Sequence, residues 1–317
     1  MESGMRDAAL QLLRKALANP AAEFRPGQWE CIEGILRNQR QLVVQKTGWG
    51  KSMVYFLGTR LLRDQGKGLT LLVSPLLSLM RNQIMAANRI GILAETINSS
   101  NTDDWEAIEG RLLANRVDIL LISPERLAND DFRERVLQQV ANRVGLFVVD
   151  EAHCISDWGH DFRPDYRRIV GVLQALPKNI PLLATTATAN DRVVQDVAHQ
   201  LGALNVLRGP LIRETLALQN IRLPSPSARL AWLAEHLKNL PGSGIIYTLT
   251  VRDSERVTEW LKANGYNVKA YHSKIDADAE DQNAESEKHR RERLEHQLLN
   301  NEVKALVATV ALGMGFD

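Results

Sequence analysis

Cysteine is scarce. Cys31 and Cys154 are the only two in the chain, too few for a four-cysteine zinc site, and two isolated thiols suit a reduced, cytoplasmic protein, so no zinc is expected. An excess of one charge is also missing: 39 Lys and Arg against 38 Asp and Glu leave a formal net charge of +1. The basic sum that usually announces nucleic acid is absent, so any track for it must be local. Long apolar runs are lacking as well, none approaching the ~20 residues that cross a bilayer. At the N-terminus Leu10, Leu13 and Leu17 recur at helical spacing but are interrupted by Arg14 and Lys15, unlike the unbroken apolar core of a signal peptide. No membrane association is expected.

What is present is room for real cores. The 317 residues are 44% hydrophobic and 24% charged, a soluble composition at a length that favours two domains. From Gln41 onward, short apolar runs alternate with helical patterns: Leu42 to Val44, Leu69 to Val73, Ile119 to Ile122, Leu146 to Val149 and Pro181 to Ala184. Continuous rather than alternating hydrophobicity inside such runs marks parallel strands buried on both faces, so the first domain, residues 1–210, reads as a doubly wound α/β unit. A second α/β series occupies 211–317. It opens with a strand over Ala217 to Leu223, passes Pro- and Ser-rich punctuation before a helix at Arg229 to Leu240, and continues through Gly244 to Tyr247, Asp253 to Asn264, Val268 to Tyr271 and Ala305 to Thr309. The charge-dense stretch from Asp276 to Arg293 reads as a helix whose solvated face carries i,i+4 pairs.

Directly after the first strand stands Gln45-Lys-Thr47-Gly48-Trp49-Gly50-Lys51-Ser52, then a helical pattern. A glycine-rich turn between strand and helix aims backbone N–H groups at phosphate oxygens. Lys51 is suited to neutralise β- and γ-phosphates and the Ser52 hydroxyl to ligate Mg²⁺. Two features depart from the general phosphate-loop pattern: Gln45 replaces its first glycine, and Trp49 is bulky for such a loop. Asp150-Glu151-Ala-His153 follows another buried strand, where Asp150 can hold Mg²⁺ and Glu151 can orient and deprotonate an attacking water. ATP and Mg²⁺ are the expected cofactors, with Lys51, Asp150, Glu151 and His153 as the catalytic set.

These motifs, in this order, resemble superfamily 2 helicases and, within them, the RecQ family of DNA helicases, over almost the whole chain from Phe24 to Asp317. The resemblance implies two tandem RecA-like P-loop lobes. It assigns Phe24-Arg25-Pro-Gly-Gln28 to adenine recognition, through Arg25 and Gln28. Ile155 to Tyr166 resembles the family's aromatic-rich loop, implying that Trp158, Phe162 and Arg163 sense single-stranded DNA; aromatic faces and an arginine suit contact without sequence readout. By the same resemblance Ser74, Arg81, Gln83, Ser123 and Arg126 contact the DNA backbone, Thr186 and Thr188 couple hydrolysis to lobe movement, and the segment Val307 to Asp317 brings Thr309 and Gly315 toward DNA and Asp317 toward the nucleotide sugar.

The implied activity is an ATP-dependent DNA helicase moving 3′ to 5′, a monomer on single-stranded and duplex DNA. An RNA helicase of the same superfamily remains an alternative. The sequence ends where the resemblance would continue to a Gln-x-x-Gly-Arg-x-Gly-Arg motif with the arginine finger. The expectation is therefore an incomplete second lobe, less stable than the first, with nucleotide binding kept and hydrolysis impaired unless a protein partner completes it.

Overall fold

The computed structural model describes residues 2–75, 84, 87–97, 101, 104–157, 164–211, 216–272, 287–309 and 312. The chain separates into two compact units that divide at residue 215.

The first unit is built on a seven-stranded sheet. Its strands are β1 (Arg40–Val44), β2 (Leu69–Val73), β3 (Ala94–Thr96), β4 (Ile119–Ile122), β5 (Val144–Val149), β6 (Leu182–Thr186) and β7 (Asn205–Arg208), in the spatial order β3-β4-β2-β5-β6-β1-β7. Every pairing is parallel. The strands read as continuous apolar runs because helices cover both faces of the sheet. Leu42, Val44, Leu71, Val73, Phe147 and Val149 point into one core, and Val43, Leu72, Leu146, Val148 and Leu183 into the other. Each fully buried aliphatic side chain contributes roughly 1.5–3 kcal/mol.

The second core is closed by α1 (Glu2–Ala16), α2 (Gln28–Leu36) and α3 (Lys51–Asp64). Leu10 and Leu13 lie in that core while Leu17, past the end of α1, is exposed. Two close approaches depend on glycine. A side chain at Gly34 in α2 would collide with the Gln41 amide, which itself donates to Cys31 O at 3.0 Å, and one at Gly58 in α3 would press on Ile35.

The second unit carries three parallel strands, β8 (Gly244–Tyr247), β9 (Val268–Tyr271) and β10 (Ala305–Ala308), ordered β8-β10-β9. Its helices are Pro226–His236, Val251–Ala263 and Glu287–Leu299. The first begins three residues earlier than the sequence pattern indicates because Ser225 caps it, accepting from Ala228 N, with Pro226 in the first turn. Leu237, Val257, Leu261, Val268, Ala305 and Val307 make a small core.

One further expectation is revised here. The strand anticipated over Ala217 to Leu223 does not form: that segment has no regular structure, and Leu218 is 88% exposed. Apolar side chains favour a strand only where a partner edge pairs with it, and among the described residues none does. Conversely β3, short and only partly buried, carried no periodic signal.

Candidate functional site

The strand order places the candidate catalytic residues together. β6 lies between β1 and β5, with Val44 level with Thr186 and Val149 level with Ala184. The loop leaving β1, the Asp150 turn leaving β5 and the threonines ending β6 therefore share one carboxyl edge of the sheet, where open α/β sheets bind ligands.

The phosphate loop runs from β1 into α3. Gly48 and Gly50 have φ of +80° and +93°, and Gly50 precedes the helix with no side-chain cap. The first N–H groups of α3 therefore face outward without a capping side chain, which is the arrangement that receives an anion. Lys51 Nζ donates to Gln45 O at 3.1 Å and to Lys46 O at 3.5 Å, so its ammonium sits over the loop. Thr47 and Ser52 are half-buried and Gly48 is exposed. Gln45, the departure from the usual glycine, is accommodated because its amide packs over Gly209, where any side chain would overlap it.

Asp150 is 6% exposed. Its Oδ1 accepts from Thr185 Oγ1 at 2.6 Å and from Glu151 N at 3.1 Å. Burial, helped by the Glu151 charge, pushes its carboxyl up to about 6, against the opposing pull of the Thr185 hydrogen bond and Lys51. A carboxylate so placed gains from a nearby cation.

Glu151 follows with φ +49° and ψ 47°, a left-handed backbone uncommon for a residue other than glycine, and such strain collects at functional sites. The turn brings Glu151 Oε2 within 3.2 Å of His153 Nδ1, which also lies 3.0 Å from Thr186 Oγ1. A proton on Nδ1 would let it donate to the Glu151 carboxylate, and Nε2 faces Cys154 Sγ at 3.7 Å. Thr186 Oγ1 in turn donates to Thr188 O at 3.1 Å. Glu151, His153, Thr186 and Thr188 thus form one chain of contacts.

Within the Thr185 to Thr188 motif, whose hydroxyls suit the Asp150 network, it is Thr185 that bonds Asp150, a choice set by the β5–β6 register. Other contributors were not singled out by the sequence reading. Tyr166 donates its hydroxyl to Asp150 O at 3.0 Å from the end of the aromatic segment, and Ser156, at the segment's start, bonds Asp196 at 2.7 Å. Among the described residues the Tyr55 hydroxyl, buried in α3, has no hydrogen-bond partner, and burial, joined by the charges of Asp150 and Glu151, raises its pKa.

Of the residues assigned to adenine, Arg25 is exposed and Gln28 is buried. The Gln28 amide accepts from Arg25 N at 2.8 Å and donates to Trp49 O at 2.8 Å. Of those assigned to DNA, Ser74 is fully buried, its hydroxyl unpartnered among the described residues. Ser123 precedes the short 3-10 turn Pro124–Ala128, on which the Arg126 guanidinium stacks 3.7 Å from the Trp105 ring centroid. Thr309 belongs to the second unit, where its N–H donates to Tyr271 O at 3.2 Å. Arg81, Gln83, Trp158, Phe162, Arg163, Gly315 and Asp317 lie outside the described residues, as does the part of the charged segment before residue 287.

Residues 25–197 match the DEAD/DEAH box helicase family. The chain belongs to that family. Among curated proteins it is 34% identical over 98% of its length to the ATP-dependent DNA helicase RecQ of Haemophilus influenzae, covering 47% of that protein. It is also 34% identical over 93% of its length to RecQ of Bacillus subtilis, again covering 47%. The chain spans about half the length of these relatives. Among solved structures, the helicase Mss116p bound to single-stranded RNA and AMP-PNP aligns with all of this chain and 66% of its own, at a TM-score of 0.76 and 21% identity. Mycobacterium smegmatis Lhr bound to single-stranded DNA and AMP-PNP aligns with 96% of this chain and 42% of its own, at a TM-score of 0.72 and 20% identity. These helicases share its α/β fold.

Proposed function

We propose that this chain is the motor portion of an ATP-dependent, RecQ-like DNA helicase that moves 3′ to 5′ along single-stranded DNA and opens duplex ahead of it. The observation that carries the reading is the convergence of the Lys51 loop, Asp150–Glu151 and Thr185–Thr186 on one edge of one sheet. The names of the relatives, all DNA helicases, favour DNA over RNA.

The residues fit ATP with Mg²⁺. The uncapped α3 terminus offers backbone N–H groups, Lys51 supplies a fixed positive charge, and a half-buried Ser52 hydroxyl and a buried carboxylate, Asp150, are the donors that Mg²⁺ accepts alongside phosphate oxygens. Bound there, Mg²⁺ would screen the phosphate charge. Lys51 then binds the β- and γ-phosphates. Glu151 orients the attacking water and takes its proton, its carboxylate held by His153. Thr186 and Thr188 carry the state of that site toward the end of β6, and Arg25 and Gln28 face the base. Ser123 and Arg126 serve the DNA backbone, together with Ser74 once its hydroxyl is uncovered, Arg81, Gln83 and Thr309. Trp158, Phe162 and Arg163 stack on or neutralise the strand.

The two units act as the two lobes of a monomer, dividing at residue 215 rather than at the 210/211 boundary read from the sequence. Among the described residues no helix is long and apolar enough to cross a membrane, and the reading places the protein in the cytoplasm, in DNA repair and recombination.

The test is ATP hydrolysis with and without single-stranded DNA, using Lys51→Ala as the blank. Stimulation by DNA but not by RNA of matched sequence, abolished in Lys51→Ala, supports the proposal. Equal stimulation by RNA overturns the choice of nucleic acid, and ATP binding without any turnover overturns the motor reading for this chain.

A further inference from the structure

Trp49 stands inside the phosphate loop between two glycines in left-handed conformation, yet it is only 5% exposed. Its ring turns toward the segment that precedes α2. The indole Nε1 donates to Pro26 O at 3.2 Å, and the ring edge lies in contact distance of Gly27, where an added side-chain carbon would meet it at 3.6 Å. Its main-chain carbonyl accepts from the Gln28 amide at 2.8 Å. One residue of the loop therefore holds residues 26–28 at two points.

This arrangement fixes which way the Gln28 amide faces. The Arg25 N–H can be met only by its oxygen and the Trp49 carbonyl only by its nitrogen. One N–H and one oxygen lone pair are left for a base edge, in a set orientation. A base that draws on this amide pulls against the carbonyl of the Trp49–Gly50 peptide, from which α3 and its phosphate-facing N–H groups begin. Gly50 leaves no slack: its φ is +93°, and a side chain there would come within 2.7 Å of the same amide nitrogen.

We infer that Trp49 is a positioning residue that ties the phosphate loop to the base-facing segment, so that the identity of the base is expressed in how firmly the phosphates are held. The inference rests on the nucleotide-site reading above and deepens it. It predicts a coupling in which phosphate binding without a base is indifferent to the indole N–H, whereas discrimination between bases depends on it.

The experiment is equilibrium binding, by calorimetry in Mg²⁺, of ATP, GTP and inorganic tripolyphosphate to the full chain and to Trp49→Phe, which keeps a ring but loses the N–H. Trp49→Gly, which removes the ring and keeps the carbonyl, is the second variant. Thermal unfolding checks that each is folded. The expected result is a fall of about three- to ten-fold in the ATP-over-GTP preference, the worth of about one hydrogen bond, with tripolyphosphate affinity unchanged. An unchanged preference in both variants overturns the inference, as does an equal loss for all three ligands, which would make Trp49 a general support of the loop. If the unaltered chain binds none of the three, the nucleotide-site reading itself falls. If it binds ATP selectively and the variants stay selective, only the role of Trp49 falls.

Discussion

Thr185 Oγ1 donates to Asp150 Oδ1 across 2.6 Å, joining the ends of two neighbouring strands through a pair of buried side chains. A hydrogen bond to an ionised group is worth about 1.5–3 kcal/mol. Thr185→Val keeps the shape and removes the donor, and is expected to lower ATP turnover about ten-fold or more while Thr185→Ser keeps most of it. Steady-state hydrolysis of the two variants against the unaltered chain checks this, and equal rates for Val and Ser would remove Thr185 from the site.

Asp150 has its folded-state carboxyl raised to about 6 from an ordinary 3.8, chiefly by burial. The folded chain therefore holds a proton more readily than the unfolded chain between those values. Its stability falls as pH rises through that window and the loss is complete above about 6. Asp150→Asn removes the charge while its amide oxygen can still accept from Thr185 and Glu151 N. It is expected to be inactive yet more stable than the unaltered chain at pH 8, by on the order of 2–3 kcal/mol, and indistinguishable from it at pH 3.5. Thermal melts of both proteins at the two pH values are the check, and a destabilised Asn variant at pH 8 would contradict the sign.

Tyr55 buries a hydroxyl with no hydrogen-bond partner among the described residues. An unsatisfied buried group costs about 1–3 kcal/mol, so replacing it with an apolar group of the same shape is neutral or stabilising. Tyr55→Phe should melt at the same temperature or higher, since the ring still packs edge-on against Phe56, 4.9 Å between centroids. A clear drop in the melting temperature would show that the hydroxyl has work in the free protein.

Cys31 is 1% exposed, and burial, with Glu30 nearby, pushes its thiol up to about 12. Thiolate is the reactive form, so at pH 8 it is nearly absent in the folded chain. A disulfide reagent should leave Cys31 unlabelled under native conditions and modify it fully in guanidinium, read by peptide mass. Rapid native labelling would mean that α2 opens away from the sheet.

Much of this architecture was written in local patterns. Strands such as Ile119–Ile122 are apolar at every position because both faces are covered, and the Lys51 loop and the Asp150 turn are short motifs whose residues are neighbours in sequence. Relations that depend on register were legible only in outline: the Thr185 to Thr188 motif offered hydroxyls to Asp150, but not which of them reaches it. Thr185 and Asp150 are 35 residues apart, and only the placing of β6 between β1 and β5 makes them partners. Trp49 was visible as a departure from the usual loop, but its destination at Pro26 was not. The Ala217 to Leu223 strand failed for the converse reason, since composition gives a strand's preference and says nothing of whether an edge is available.

The strand order also sets a timetable for synthesis. β1 pairs with β6 and β7, Arg40 lying beside Leu182 and Gln41 beside Asn205. The segment bearing the phosphate loop therefore leaves the ribosome about 140 residues before the strands that flank it, a delay on the order of ten seconds at roughly 5–20 residues per second. During that interval β1 exposes two unpaired edges, and closing so long a loop is slow. Nascent chains released before residue 208 should lack a formed loop and present Leu42, Val43 and Val44 to chaperones.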